Sequence, residues 1–146
     1  MMCFFVGHRD AGEWLMPQLE QAIRLHITEY GVKEFVVGQY GSFDRMAARA
    51  VINAKKAYSD VKLSVLLPYH PSERAVQAPK GYDATIYPPG MESVPRRLAI
   101  VHANEYMIRR CDYLIAYAWQ PGSNSLRLLN LAKRRPGIKI TELSEG

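Results

Sequence analysis

Residues 34–54 read EFVVGQYGSFDRMAARAVINA, and this stretch decides the fold. The apolar run at 34–37 has the length and composition of a buried strand, and two glycines mark the turn that follows it. A helix is predicted over 43–58 from the small and apolar positions that share one of its sides: Ala47, Ala50, Val51 and Ala54. A continuously apolar strand that leads through a glycine turn into a helix is typical of a parallel sheet covered by helices.

The same alternation continues outward in both directions. Apolar runs predict four more strands, at 3–6, 62–67, 112–117 and 138–141. Helical spacing predicts three more helices, at 14–30, 94–110 and 123–135, with Ser93 and Pro95 marking the start of the second. The sequence therefore predicts an α/β, Rossmann-like, doubly wound fold: a mostly parallel five-stranded sheet with helices on both faces.

One segment, residues 68–92, interrupts this rhythm. It reads PYHPSERAVQAPKGYDATIYPPGME, with five prolines, three tyrosines and no helical period. A loop of this length is uncommon in a single domain and is usually functional. We expect it to fold over the carboxyl edge of the sheet as a wall or lid that offers Tyr69, Tyr82 and Tyr87 to a ligand. The alternative is a surface excursion without a role.

Length and composition favour one ordinary globular domain over 1–146, since 48% of the 146 residues are hydrophobic and 23% are charged. No apolar run is long enough to cross a membrane. The opening MMCFFVGHRD has no secretory-signal pattern, so a cytoplasmic location is expected. Cys3 and Cys111 lie in or beside apolar runs and are expected to be free thiols, with no metal site.

The net charge of +5 is unevenly distributed. Residues 96–139 carry nine basic side chains against Glu105 and Asp112. This excess is compatible with an anionic ligand, with a polyanionic partner such as nucleic acid, or with a basic solvated helix surface. Four leucines cover more than one face of the last predicted helix and suggest a possible homo-oligomer: Leu126, Leu128, Leu129 and Leu131.

Candidate ligand-binding residues follow the predicted strands, because ligands of open parallel sheets bind beyond the carboxyl ends of the strands. Gly7, His8 and Arg9 follow the first strand, where glycine permits close approach and the two side chains can donate to phosphate or carboxylate. The turn after the fourth strand reads AWQPGSNS, and it opens a helix. Its candidates are Trp119, Gly122, Ser123 and Asn124, of which Trp119 either stacks on a base or packs in the core.

The turn after the second strand, GQYGSFD, gives the most informative pattern. Glycines before a helix leave backbone N–H groups free at a positive helix end, which predicts an anion site of the phosphate type. The pattern is neither a Walker loop nor the dinucleotide GxGxxG. Its candidates are Gly38, Gln39, Tyr40, Gly41, Ser42 and Asp44. Ser42 and Asp44 can each cap the helix instead, and Asp44 can otherwise hold a ribose hydroxyl.

Taken together, FFVGHRD, FVVGQYGSFDRMAARAV, NEYMIRRCDYLIAYAW and GSNS resemble the SLOG superfamily, in particular its small YpsA-like proteins. That superfamily also includes the Lonely Guy hydrolases and the DNA-processing protein DprA. The resemblance covers nearly the whole chain. It implies a Rossmann-like fold that binds nucleotides or nucleotide-derived ligands, with the turns after the second and fourth strands holding phosphate and sugar.

The chain departs from the hydrolases of that superfamily at two places. Alignment on DYLIAY puts Ala103 and Asn104 where the hydrolases carry an arginine–lysine pair, and the turn after this strand lacks their glutamate. We therefore expect a protein that binds or senses a nucleotide or an ADP-ribose-like ligand, without a further cofactor. An alternative is a hydrolase of N-glycosidic or phosphate bonds whose base is Asp44, Asp10 or Glu105. A second alternative is nucleic-acid binding through the basic region 96–139.

Overall fold

The computed structural model describes residues 1–145, and in that range six strands form a single sheet in which every pairing is parallel. The strands are β1 (Met2–Gly7), β2 (Glu34–Val37), β3 (Lys62–Leu66), β4 (Ala84–Ile86), β5 (Tyr113–Tyr117) and β6 (Lys139–Glu142). The helices are α1 (Met16–Thr28), α2 (Ser42–Lys55), α3 (Ala99–Arg110) and α4 (Asn124–Lys133), with short 3₁₀ turns at 13–15, 91–93 and 96–98. The predicted α/β, Rossmann-like class is confirmed.

Helices cover both faces of the sheet. Successive residues of a strand point to opposite faces, so a continuously apolar strand has side chains to bury on both. Phe5 of β1 packs with Phe35 of β2 on the face that carries α1 and α2. Phe4 and Val6 of β1 pack on the other face, against α3 and α4. The strands are thus buried on both faces, which explains why their sequences are continuously apolar.

The strand order, β4-β3-β2-β1-β5-β6, reverses at β1. From β1 the chain builds outward through β2, β3 and β4, and then returns to place β5 on the other side of β1. Such a reversal leaves a crevice outside the carboxyl ends of the two strands that flank it, here β1 and β5.

The strand that the sequence analysis does not predict, β4, lies inside the segment expected to be a loop. It pairs in parallel with β3, so residues 67–83 must return from the carboxyl end of β3 to its amino end. They do so without a helix, and Val76 and Ala78 pack against the face that carries α1 and α2. The sequence does not predict β4, because its three residues are mostly exposed and too few to show an apolar alternation. They form a strand only through their pairing with β3.

The third helix begins later than predicted. Val94 and Pro95 have extended backbones, with ψ of 132° and 138°, so no helix begins at Ser93. Two 3₁₀ turns precede α3, which starts at Ala99. The last helix is predicted to begin at Ser123 and begins one residue later, at Asn124. Ser123 is instead the N-cap of α4, and its hydroxyl accepts a hydrogen bond from the Leu126 N–H at 3.1 Å.

Both cysteines are buried free thiols, as predicted. Leu128 and Leu129 are buried in the core beneath α3 and α4, and Leu126 and Leu131 are partly buried against it, so the homo-oligomer stays a prediction. Among the described residues, none of the helices has the length and apolar character needed to cross a membrane.

Candidate functional site

A cavity of about 360 Å³ lies at the carboxyl edge of the sheet. It is bounded by the residues that follow β1, β2 and β5 and by the facing sides of α3 and α4. This is the crevice that the reversal at β1 produces, and its size is at the lower end of the range for small-molecule sites. Eight of the thirteen predicted site residues line it: Gly7, His8, Arg9, Gly38, Tyr40, Asp44, Ser123 and Asn124.

Gly7 brings the end of β1 against α2. A Cβ at this position would lie 2.2 Å from the ring of Phe43, so only glycine allows the approach. The carbonyl oxygen of Gly7 accepts a hydrogen bond from the Ser125 hydroxyl at 3.0 Å, which ties β1 to the first turn of α4.

His8, predicted as a donor to phosphate or carboxylate, is buried and neutral, and its Nε2 serves as an acceptor. Its Nε2 accepts hydrogen bonds from the N–H groups of Trp119 at 2.9 Å and Gln120 at 3.3 Å. Burial lowers the pKa of this imidazole, and the nearby Asp10 only partly opposes the shift. The ring therefore carries its proton on Nδ1 and acts as a link between the turns after β1 and β5.

Arg9 is the cation that the cavity offers to a ligand. Its side chain is exposed, and within residues 1–145 it forms no ion pair. Its backbone is fixed independently, because its carbonyl oxygen accepts the Ser42 N–H at 2.8 Å. The guanidinium can therefore pair with an anion without losing an internal partner.

The turn between β2 and α2 uses several of its donors internally, whereas the N–H groups of Phe43 and Asp44 have no acceptor among the described residues. The Ser42 hydroxyl donates to the carbonyl of Ala11 at 2.5 Å, and the Tyr40 N–H donates to Asp44 Oδ2 at 3.1 Å. Gly41 has a φ of 111°, and a Cβ there would lie 2.9 Å from the Arg9 Cα. The carboxyl of Asp44 thus lies near the start of α2, where a phosphate is predicted, and the phosphate site stays a prediction. Gly41 and Ser42 are not among the cavity-lining residues.

Asp44 is the most perturbed acid of the site. Burial raises the pKa of its carboxyl from 3.8 to about 7, although the Tyr40 N–H and the cations Arg9 and Arg45 act in the opposite direction. A cavity-lining carboxyl with this pKa can hold or release a proton near neutral pH.

The turn between β5 and α4 also leaves backbone donors without an internal acceptor. In the part of the chain that the structure describes, the N–H groups of Asn124 and Ser125 have no acceptor. They lie in the first turn of α4, where the helix dipole favours an anion. Asn124 and Ser125 line the cavity, and the first turn of α4 has no acid, whereas Asp44 lies in the first turn of α2. This end of the cavity is therefore the better place for a negatively charged ligand group.

Gln39, Trp119 and Gly122 were predicted at the site and do not line the cavity. Gln39 is buried beneath the 67–83 crossover, where its side chain accepts the Gln77 N–H at 2.7 Å. Trp119 is 53% exposed and meets His8 edge-on from outside, with ring centroids 5.6 Å apart. Its side chain borders a separate depression formed with Leu143 near the end of the chain. Gly122 also borders a separate depression, beside α4.

The 68–92 segment contributes less to the cavity than predicted. Pro68 lines it, but Tyr69, Tyr82 and Tyr87 do not. The ring of Tyr69 instead supports Arg74, whose guanidinium carbon lies 4.1 Å from the ring centroid. The crossover leaves the carboxyl edge because it must reach the amino end of β3 before β4 begins.

Several cavity-lining residues were not predicted at the site, chiefly on the walls contributed by helices. Ile100, Ala103 and Asn104 of α3 and Leu128 of α4 line it. Helical periodicity does not distinguish a side that faces a cavity from one that faces the core. The one available signal was the alignment with the hydrolases, which had singled out Ala103 and Asn104.

Most basic side chains of residues 96–139 contact other groups of the same chain at its surface. Arg109 and Arg127 both pair with Glu105, Arg135 donates to two carbonyl oxygens at the end of α3, and Arg110 lies over a tyrosine ring. Within residues 1–145, no group of three or more His, Cys, Asp or Glu side chains is arranged to hold a metal ion.

Comparison with known proteins identifies neither a matching family model nor a matching curated protein. The resemblance to the SLOG superfamily therefore stays a prediction.

Proposed function

We propose that this protein binds a nucleotide or a nucleotide-derived, ADP-ribose-like ligand in the carboxyl-edge cavity, and that it acts as a sensor or regulator. The observation that carries the proposal is the position of the cavity. It lies where the strand order reverses, which is where open α/β sheets bind such ligands.

The distribution of groups in the cavity supports the same ligand class. Arg9 and the free N–H groups at the start of α4 suit a phosphate. The Asp44 carboxyl suits a ribose hydroxyl. The apolar wall formed by Ile100 and Leu128 suits the flat face of a base.

The test compares thermal stabilisation by AMP, ADP and ADP-ribose in the parent protein and in an Arg9→Ala variant. A ligand at 100 times its Kd stabilises the folded state by ~2.7 kcal/mol. We expect this shift in the parent and the loss of most of it in Arg9→Ala, because the variant removes the cavity's free cation. Arg45→Ala is the matched control, since Arg45 is exposed on α2 and does not line the cavity. If none of the three nucleotides stabilises the parent, the proposal fails.

A second candidate function is hydrolysis of a nucleotide with Asp44 as the acid or base. The observation that favours it is a carboxyl with a pKa of about 7 inside the cavity. The route used by the Lonely Guy hydrolases is not expected, because Ala103 and Asn104 replace their arginine and lysine.

Incubation with AMP and N6-substituted AMP separates the two candidates. The binding function predicts no more free base or phosphate than in a control without protein. Product formation in proportion to protein that disappears in Asp44→Asn would instead establish the hydrolase. Product formation that persists in Asp44→Asn would assign the chemistry to a different residue.

A further inference from the structure

Glu105, Arg127 and Asn124 form a chain of contacts that joins α3 to α4 beside the cavity. The Arg127 guanidinium pairs with Glu105 Oε2 at 3.0 Å. The same guanidinium donates from Nε at 3.2 Å and from Nη2 at 3.1 Å to Asn124 Oδ1. Asn124 lines the cavity, as does Asn104, the neighbour of Glu105 on α3.

These contacts determine which way the Asn124 amide faces. A guanidinium can only donate, so the atom of Asn124 that meets Arg127 must be the oxygen. The amide nitrogen then points away from Arg127, and within the described residues it has no acceptor. Glu105 holds the guanidinium from α3, and its side chain is only 21% exposed.

We propose that the Glu105–Arg127 pair positions Asn124 so that its amide nitrogen donates into the cavity and selects an anionic oxygen of the ligand. Arg127 is a positioning residue in this arrangement, because it acts through Asn124. The inference rests on the proposed function and deepens it: the ligand's negatively charged group lies at the α4 end of the cavity, where Asn124 adds to the backbone donors of the first turn.

The test measures AMP affinity by calorimetry in five single variants and one double variant. Arg127→Ala frees the Asn124 amide, and we expect affinity to fall about tenfold, which corresponds to about 1.4 kcal/mol. Arg109→Ala is the matched control: Arg109 pairs with the same Glu105 at 3.5 Å but has no contact with Asn124, so we expect AMP affinity to be unchanged. Arg127→Lys keeps the charge without the two-pronged donor and should also weaken binding.

Asn124→Asp separates positioning from a merely structural role. An aspartate strengthens the contact with Arg127 and suits the start of a helix, so thermal stability should be equal or higher. It offers only oxygens to the cavity, so AMP affinity should fall by at least about tenfold, because an anion would meet an acceptor. In the Asn124→Ala, Arg127→Ala double variant, the second change should add no further loss beyond Asn124→Ala alone.

Three results would overturn the inference while leaving the proposed function in place: Arg127→Ala binding AMP as tightly as Arg109→Ala, Arg127→Lys binding like the parent, or additive losses in the double variant. If the parent binds none of AMP, ADP and ADP-ribose, the proposed function fails and this inference fails with it.

Discussion

Asp44 combines two roles that the sequence could not rank. Its carboxylate accepts the Tyr40 N–H and so organises the turn before α2, yet it also borders the cavity. The sequence named both a capping role and a ligand role for this residue. The packing around the turn allows the carboxyl to accept the Tyr40 N–H and to border the cavity at the same time. The burial that results raises the pKa of the carboxyl strongly.

The raised pKa predicts how Asp44 affects stability. Between pH 3.8 and about 7 the folded protein holds a proton on Asp44 that the unfolded chain has released. The free energy of unfolding therefore loses a contribution as pH rises through this window. Asp44→Asn removes the effect, so the variant should gain stability over the parent as pH rises from 4 to 7. We expect about 1–2 kcal/mol at pH 7, because water in the cavity screens the charge.

Chemical denaturation at several pH values measures this difference. Comparing the two proteins at each pH cancels the opposite effect of His8 and His26, whose pKa values are lowered by burial. A constant difference between the proteins from pH 4 to 7 would mean that Asp44 titrates normally in the folded state.

At the scale of elements, side-chain contacts with Gln39 and Lys55 hold the 67–83 crossover in place. The buried side chain of Gln39 accepts the Gln77 N–H and donates to the Leu66 carbonyl at 3.4 Å. Lys55 of α2 secures the other end by pairing with Asp83 at 2.6 Å. A crossover without a helix depends on such contacts, since its own backbone hydrogen bonds are confined to turns such as the one in which the Glu73 N–H donates to the His70 carbonyl.

Gln39→Ala should therefore loosen the crossover. The change leaves the Gln77 N–H and the Leu66 carbonyl without their partner, and limited trypsin cleavage at Arg74 or Lys80 should be roughly tenfold faster. Gln77→Ala is the matched control, because Gln77 contributes its backbone N–H and this variant keeps that bond. Equal cleavage rates in the two variants would show that Gln39 does not hold the segment.

At the scale of the whole molecule, the strand order places the turns after β1 and β5 side by side. His8 then joins them through the backbone of Trp119 and Gln120, and the cavity opens between them. The amino edge of the sheet has a different character. There the ring of His26 meets the rings of Tyr30 and Tyr113 edge-on, and those two tyrosine rings stack on each other with centroids 5.3 Å apart.

This asymmetry predicts where a ligand slows amide hydrogen exchange. With saturating ADP-ribose, exchange should slow at residues 8–10 and 119–125, because the ligand orders the turns that surround the cavity. Residues 30–34 at the amino edge should exchange at the same rate with and without ligand. Slowing at the amino edge, or on the outer surface of α3 alone, would place the ligand elsewhere.

The sequence by itself determined the α/β class, all four helices and five strands of the described residues, and the edge of the sheet at which to look for a site. Apolar runs, helical periods and glycine turns are local signals, and each records the burial of its own segment. Tertiary structure alone decided that Ala84–Ile86 forms a strand, that the 67–83 segment crosses the sheet without a helix, and that α3 and α4 wall the cavity. It also decided which backbone donors remain free: the N–H groups of Ser42 and Tyr40 donate inside the protein, whereas those of Asn124 and Ser125 have no acceptor among the described residues. The physical reason is that a backbone N–H or a carboxyl is equally available in any sequence, and only the packed neighbours determine whether it is already satisfied.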